Sequence, residues 1–375
     1  DSIAYPQFDY TPPNPLDHRV ELPRGAVAYL VPSQELPLIS LRMTFREKGW
    51  EPESSMVASF TLLDGLMRRG GTQELSPAAV EDSLEQHSVR IGVSVGDHSA
   101  TLTMDALDSD FERYLPLLQS IALEPRIDST ELVLTQARML QSIAHRYDRP
   151  APISRDLYSA ALYGVRDPAL WRAESSEVTG VTRLSLLELA KNRFRPEKLV
   201  LGVSGKFNRE EMISLLSKWL EQWPVHLEAE PDSLTQTPKK RPAFHLLNFQ
   251  SEQAQIRMGQ PFLRRPHPDY YATSIASYIL GSGGFTSRLT AAVRSREGLA
   301  YSVWSFAESD YFSVGTAGVS LQTKAENTGY AIALIFEEIE RLTREGPTAE
   351  ELERAVEGLI ASIPSLFDSP ENTAQ

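Results

Sequence analysis

Among the 375 residues there is no cysteine. Disulfides, thiolate zinc sites, iron–sulfur clusters and a cysteine nucleophile are excluded together, and the absence fits an oxidising compartment. No apolar run approaches the ~20 residues of a membrane-spanning helix. The opening Asp1-Ser2-Ile3-Ala4-Tyr5-Pro6 lacks the basic and apolar regions of a signal peptide, so such a segment is expected to be absent or already removed. Cations are in the minority, 37 Lys and Arg against 50 Asp and Glu, for a net charge of −13. That balance argues against a nucleic-acid partner, whose phosphates call for facing cations.

Other absences concern spacing. The seven histidines, His18, His87, His98, His145, His226, His245 and His267, include no two that share a helix face, so a helical zinc site built on paired imidazoles is missing. A Gly-x-Ser-x-Gly elbow is also missing. Gly281-Ser282-Gly283-Gly284 matches neither Gly-x-Gly-x-x-Gly nor Gly-x-x-x-x-Gly-Lys, and reads as a flexible loop rather than a phosphate cradle.

What is present has the make-up of a folded protein, 41% hydrophobic and 23% charged, in a chain long enough for two domains. Two β-prone runs, Arg19 to Leu22 and Ala26 to Val31, flank a glycine turn as a hairpin, and Leu38 to Phe45 is a further strand. Ser54-Ser55 opens a helix with Val57, Phe60, Leu63 and Met67 at helical spacing, stopped by Gly70-Gly71. Ser76-Pro77 starts another. Val89 to Val95 and Ser99 to Met104 form a hairpin, followed by helices through Phe111 to Ile121 and from Asp128-Ser129. Pro150 and Pro152 are expected to break the pattern before a helix near Leu157 to Leu162. A helix from Thr182 to Asn192, a strand Leu199 to Ser204 and a helix Arg209 to Trp219 complete this half. Residues 226–242, polar and without periodicity, read as a linker between domains 1–225 and 243–375.

The second half repeats the order: a strand at Gln255 to Met258, a hairpin of Tyr301 to Phe306 with Phe312 to Thr316, a helix through Tyr330 and Ile339, and another opened by Pro347-Thr348. An internally duplicated α+β protein follows, each domain a mainly antiparallel sheet with helices packed on one face. On that repeat the second half lacks a counterpart of Ala151 to Trp223, and the natural protein is expected to be longer.

The densest chemistry lies between Gly281 and Val303. A glycine turn leads to a helix capped by Thr286 or Ser287, presenting Arg288, Arg294 and Arg296, ended by Gly298 and followed by a strand from Tyr301. Arg294 and Tyr301 read in two ways. They are a surface arginine and a strand tyrosine, or a charged guanidinium and a protonated phenol that polarise a carbonyl and stabilise an oxyanion.

Ser287-Arg288-Leu289 through Arg294-Ser295-Arg296-Glu297-Gly298-Leu299-Ala300-Tyr301-Ser302 resembles the second-domain signature of the pitrilysin-type zinc metallopeptidases, among them the mitochondrial processing peptidase and insulin-degrading enzyme. The resemblance extends to Arg19 to Val31, to Gly70-Gly71-Thr72 and to the duplicated layout. It implies that Arg294 and Tyr301 are the arginine–tyrosine pair that approaches substrate beside zinc. Catalytic members carry His-x-x-Glu-His just before the Gly-Thr, where this sequence holds Leu62-Leu63-Asp64-Gly65-Leu66. The distal glutamate ligand would fall near Gln141-Ser142. The resemblance therefore implies no metal or other cofactor in this chain, with zinc in a homologous partner subunit, inactivity alone, and a heterodimeric peptidase acting on peptides or unfolded segments. Gly281, Gly283, Gly284 and Phe285 are expected to guide substrate, while Arg288 and Arg296 are structural. The rival expectation is a purely structural or binding subunit, like the core proteins of a respiratory complex. The compartment implied is the periplasm, with the cytoplasm as the alternative.

Overall fold

In strand β3 (Leu38–Arg46) the side chains of Ile39, Leu41, Met43 and Phe45 are buried in alternation, as are Ala100, Leu102, Met104 and Ala106 of β5 (Ser99–Leu107). Period-two burial of this kind gives a sheet one core face and one freer face. The computed structural model describes residues 11–46, 56–96, 99–164, 172–191, 193–196, 199–224, 242–309, 311 and 314–374. The expected helix start at Ser54-Ser55 and, except for Pro242, the expected linker lie outside these residues.

The sheet containing β3 has six strands in the order β1-β2-β6-β3-β5-β4, with β1 at Arg19–Glu21, β2 at Val27–Pro32, β4 at Arg90–Val95 and β6 at Leu199–Gly205. Only the β2–β6 pairing is parallel. Helices Val57–Leu66 and Phe111–Leu123 cover the core face, the second with Phe111, Tyr114, Leu115, Leu118 and Ile121 buried at helical spacing. Gly70 and Gly71 end the first helix as expected. The Gly70 N–H returns to Leu66 O at 2.7 Å, and Gly71 adopts φ +75°, a left-handed conformation that suits glycine. An aromatic group closes one side of this core, with Phe45 edge-on to Phe194 at 5.3 Å, stacked with Trp223 at 5.5 Å, and Trp223 edge-on to Trp219 at 5.4 Å.

The other sheet has the order β7-β9-β8, with β7 at Gln253–Pro261, β8 at Ala300–Glu308 and β9 at Thr316–Lys324, all antiparallel. It repeats the β3-β5-β4 arrangement, and helices Thr328–Glu345 and Ala349–Ser362 follow β9 as a helix pair follows β5. Of the second hairpin strand expected at Phe312 to Thr316, Phe312 and Ser313 lie outside the described residues, Val314 and Gly315 precede β9, and Thr316 is its first residue. Burial decides the register, because Val319 and Leu321 point into the core with Val303, Leu289 and Ile335.

Two units emerge, and neither is continuous in sequence. One comprises Asp1–Ile143, Arg172–Ser233 and Ile363–Gln375, the other Ala144–Trp171 and Leu234–Ser362. Residues 144–171, expected in the first domain, thus group with the second, and 363–375 with the first. The helix Pro150–Tyr163 explains the first exchange. It lies on the face of the second sheet opposite that core, where Gly259 leaves room for Tyr158, and Tyr158 meets Phe306 edge-on at 6.0 Å. Pro150 and Pro152, expected to precede a helix, form its first turn, where a missing N–H leaves no bond unmade. In the first unit, the short helix Pro370–Ala374 sits against Gly202 of β6 in the same manner. A helix on the second face of each sheet was not foreseen.

Replacing the fully enclosed Trp223 with alanine removes the ring shared by Phe45 and Trp219. The expected loss is about 3–5 kcal/mol, read as a lowered urea midpoint.

Candidate functional site

The segment entering β8 is wound more widely than an α-helix in two places, Tyr278–Ser282 and Thr290–Arg296. Such π-turns are uncommon and frequent at functional sites. The glycines between them have different physical roles. Gly281 is buried with its α-carbon against the Ser305 backbone, and a methyl at Gly283 would lie 2.6 Å from Tyr278 O. Packing against β8 and Tyr278 accounts for both, so neither offers open backbone to a ligand. Gly284 is exposed, with φ +70° and free space around it, and it lifts Phe285 into solvent, 74% exposed.

Neither expected cap accepts an N–H from the following helix. Thr286 Oγ1 donates to Gly283 O at 3.3 Å, and Ser287 Oγ donates to Gly284 O at 2.7 Å and is hydrogen-bonded with the Thr290 hydroxyl at 3.0 Å. The hydroxyls tie the turn back on itself instead of starting the helix. Arg288 is turned inward. Its Nε and Nη2 donate to the two oxygens of Glu351 at 2.7 and 2.6 Å, and Nη2 also donates to Gly346 O at 3.1 Å. Glu351 further accepts from Thr348 N and Oγ1 at 2.8 and 3.1 Å. Hydrogen bonds from Arg288, followed by those from Thr348 and opposed by burial, hold the Glu351 carboxyl at about 2.

At the far end, Gly298 adopts φ +63° and its N–H returns to Arg294 O at 3.1 Å, while Leu299 N–H returns to Val293 O at 2.9 Å. The chain then enters β8 with an irregularity. Ala300 pairs with Thr323 and Ser302 with the next residue of β9, Gln322, so Tyr301 is an extra residue without a cross-strand partner. A bulge re-aims the side chain it carries, and Tyr301 is 83% exposed. Arg294, half-buried, places its guanidinium carbon 5.6 Å from the centre of the Tyr301 ring and 4.8 Å from that of Phe285. Among the described residues no carboxylate lies within ion-pair distance of it. Phe285, Arg294 and Tyr301 therefore meet at one surface, with a guanidinium and a phenol side by side.

The first unit presents a different picture at Leu62, Gly65 and Leu66. Both leucines are fully buried in the core, and a methyl at Gly65 would rest 3.4 Å from Thr135 Cγ2. Asp64 is engaged, its Oδ1 accepting the Val95 N–H at 2.7 Å. Gln141 and Ser142 lie exposed on the helix Ser129–Ala144. Leucine and glycine side chains carry no lone pair to coordinate a metal, so these residues do not fit a zinc ion. Among the described residues no cluster of three histidines or acids could hold one either.

Sequence reasoning missed the bulge at Tyr301, the stacking of Arg294 and the Arg288–Glu351 fork. Only the fork left a signal, since Thr348-x-x-Glu351 is a capping box in the sequence. Two outcomes follow from this geometry. Leu62→His buries an imidazole without a partner and should cost about 3 kcal/mol in urea unfolding. For Glu351 the folded value is depressed from its ordinary 4.5 to about 2. Its contribution is therefore complete above the ordinary value and is lost as pH falls towards the folded one. Urea midpoints of wild type and Glu351→Gln should differ most above pH 4.5 and converge as pH approaches about 2.

Residues 180–359 match the family described as the peptidase M16 inactive domain. An uncharacterized zinc protease of Mycobacterium leprae is 32% identical over 220 residues, 56% of this chain and 49% of that protein, so the chain spans about half of that relative's length. The non-peptidase homologue YmxG of Helicobacter pylori is 25% identical over 336 residues, covering 88% of this chain and 76% of the relative. Among solved structures, a peptidase M16 inactive domain from Pseudomonas fluorescens superposes with a TM-score of 0.80 at 21% identity, over 95% of this chain and 86% of that one. The periplasmic protease PqqL of Escherichia coli gives 0.82 at 15% identity, over 100% and 42%. The family match lies across the segment that carries Arg294 and Tyr301, so over residues 180–359 the chain is similar to peptidase M16 inactive domains.

Proposed function

We propose that this chain is the zinc-less subunit of a heterodimeric peptidase. Its partner is an M16 homologue bearing His-x-x-Glu-His, and it presents Arg294 and Tyr301 to a peptide bound at the partner's metal. The observation that carries this reading is the exposure of Tyr301 on its bulge, beside an Arg294 that has no carboxylate partner among the described residues. A strand tyrosine kept only for packing would be turned into the sheet. A guanidinium and a phenol stabilise the charge that develops on a carbonyl oxygen during attack. They do not activate water, so the nucleophile and the base come from the partner.

Substrates are peptides or unfolded segments, which extend along the surface around Gly284 and Phe285. Gly281 and Gly283 line the turn from within and contribute by shaping it. The periplasm is the proposed compartment, supported by the periplasmic PqqL neighbour and by the lack of cysteine. No described helix is long and apolar enough to cross a membrane.

The test is reconstitution with a zinc-bearing M16 subunit. The chain alone should hydrolyse no peptide, and the mixture should. Tyr301→Phe should lower turnover by roughly 10²-fold with the complex still formed on size-exclusion chromatography. Full turnover in that variant would instead support a structural subunit.

A further inference from the structure

Arg288 and Arg294 lie six positions apart and are held by opposite means. Arg288 is gripped by a carboxylate that occupies its Nε and one Nη. With Nε and Nη2 engaged and the group buried, this guanidinium cannot offer its donors to a ligand. Arg294 lies against aromatic rings, with Phe285 nearer than Tyr301 at 4.8 against 5.6 Å. The negative face of a ring attracts a cation without accepting its N–H groups in the manner of a carboxylate. The charge is oriented while its five donors stay available.

The placement of Phe285 is itself built. Gly284 takes the left-handed conformation needed for the turn Gly284–Thr286, and Ser287 closes that turn through its N–H and Oγ, both donating to Gly284 O, at 3.2 and 2.7 Å. An apolar ring that is 74% exposed belongs to no core. The ring lies instead against the Arg294 guanidinium.

We propose that Phe285 is a positioning residue for Arg294, an aromatic rest that aims the guanidinium at substrate while leaving its donors free. This inference rests on the peptidase-subunit reading for its consequence in catalysis, but the contact itself can be tested without a partner. In the 15N-labelled full chain, the Nε–Hε resonance of Arg294, assigned by its loss in Arg294→Lys, should be displaced by the ring. Phe285→Leu, which keeps an apolar side chain of similar reach, should return it towards the value of free arginine, and Phe285→Trp should keep it displaced.

In the reconstituted peptidase, Phe285→Leu should reduce kcat about tenfold, a larger change than any in KM. Phe285→Trp should restore the rate, and the leucine change should add nothing in an Arg294→Ala background. An Arg294 resonance indifferent to Phe285→Leu would overturn the inference. So would a leucine effect confined to KM and persisting without Arg294, which would make Phe285 a substrate contact. Wild-type turnover in Arg294→Ala would sink the peptidase-subunit reading, while the resonance would still decide whether Phe285 positions the arginine.

Discussion

The fork between Arg288 and Glu351 fixes the segment that carries Arg294 and Tyr301. Arg288 sits at the entry to the π-wound stretch, Glu351 at the first turn of the helix Ala349–Ser362, and the two meet through paired short hydrogen bonds in a largely enclosed place. Removing one partner of such a pair strands the other charge away from water, which costs more than the pair contributes when intact. The same glutamate completes the capping box with Thr348. One carboxylate thus begins a helix and anchors the neighbouring segment, so that helix and site segment are coupled mechanically.

Beyond that anchor, the segment is shaped by glycines with separate duties. Gly281 and Gly283 permit close packing on β8 and Tyr278, while Gly284 and Gly298 permit left-handed turns at either end of the Phe285 to Arg294 stretch. The result is a short, tightly bounded segment that brings the Phe285 ring and the Arg294 guanidinium to one surface with the Tyr301 phenol. Rigidity of this kind matters for groups that act by orientation, because donors that need not reorganise stabilise developing charge most effectively.

Much of the fold was legible in the sequence because burial imposes period. The alternation in β3 and β5, the helical spacing from Phe111 to Ile121 and the Gly70-Gly71 stop all follow from one-faced burial and glycine geometry. The departures came where distant packing decides. Val314 and Gly315 were expected within a strand, yet β9 begins at Thr316, whose register places Val319 and Leu321 in the core. Pro150 reads locally as a breaker and serves as a helix start, and the unit to which that helix belongs depends on the room at Gly259. At the candidate site, Arg294 and Tyr301 were visible as a spacing. Their shared surface with Phe285 required a bulge and a turn that no local pattern announces.

The bulge has an evolutionary consequence. An unpaired extra residue stands outside the sheet's two-residue alternation, so Ala300 and Val303 keep their buried places whatever side chain Tyr301 bears. The position is insulated from the folding requirements of its neighbours, and selection for a stable protein does little to preserve its tyrosine. In the proposed role, a helper of catalysis built in this way stands one nearly neutral substitution from becoming a passive scaffold. The tyrosine is therefore a more sensitive record of selection for chemistry than any residue of the surrounding core.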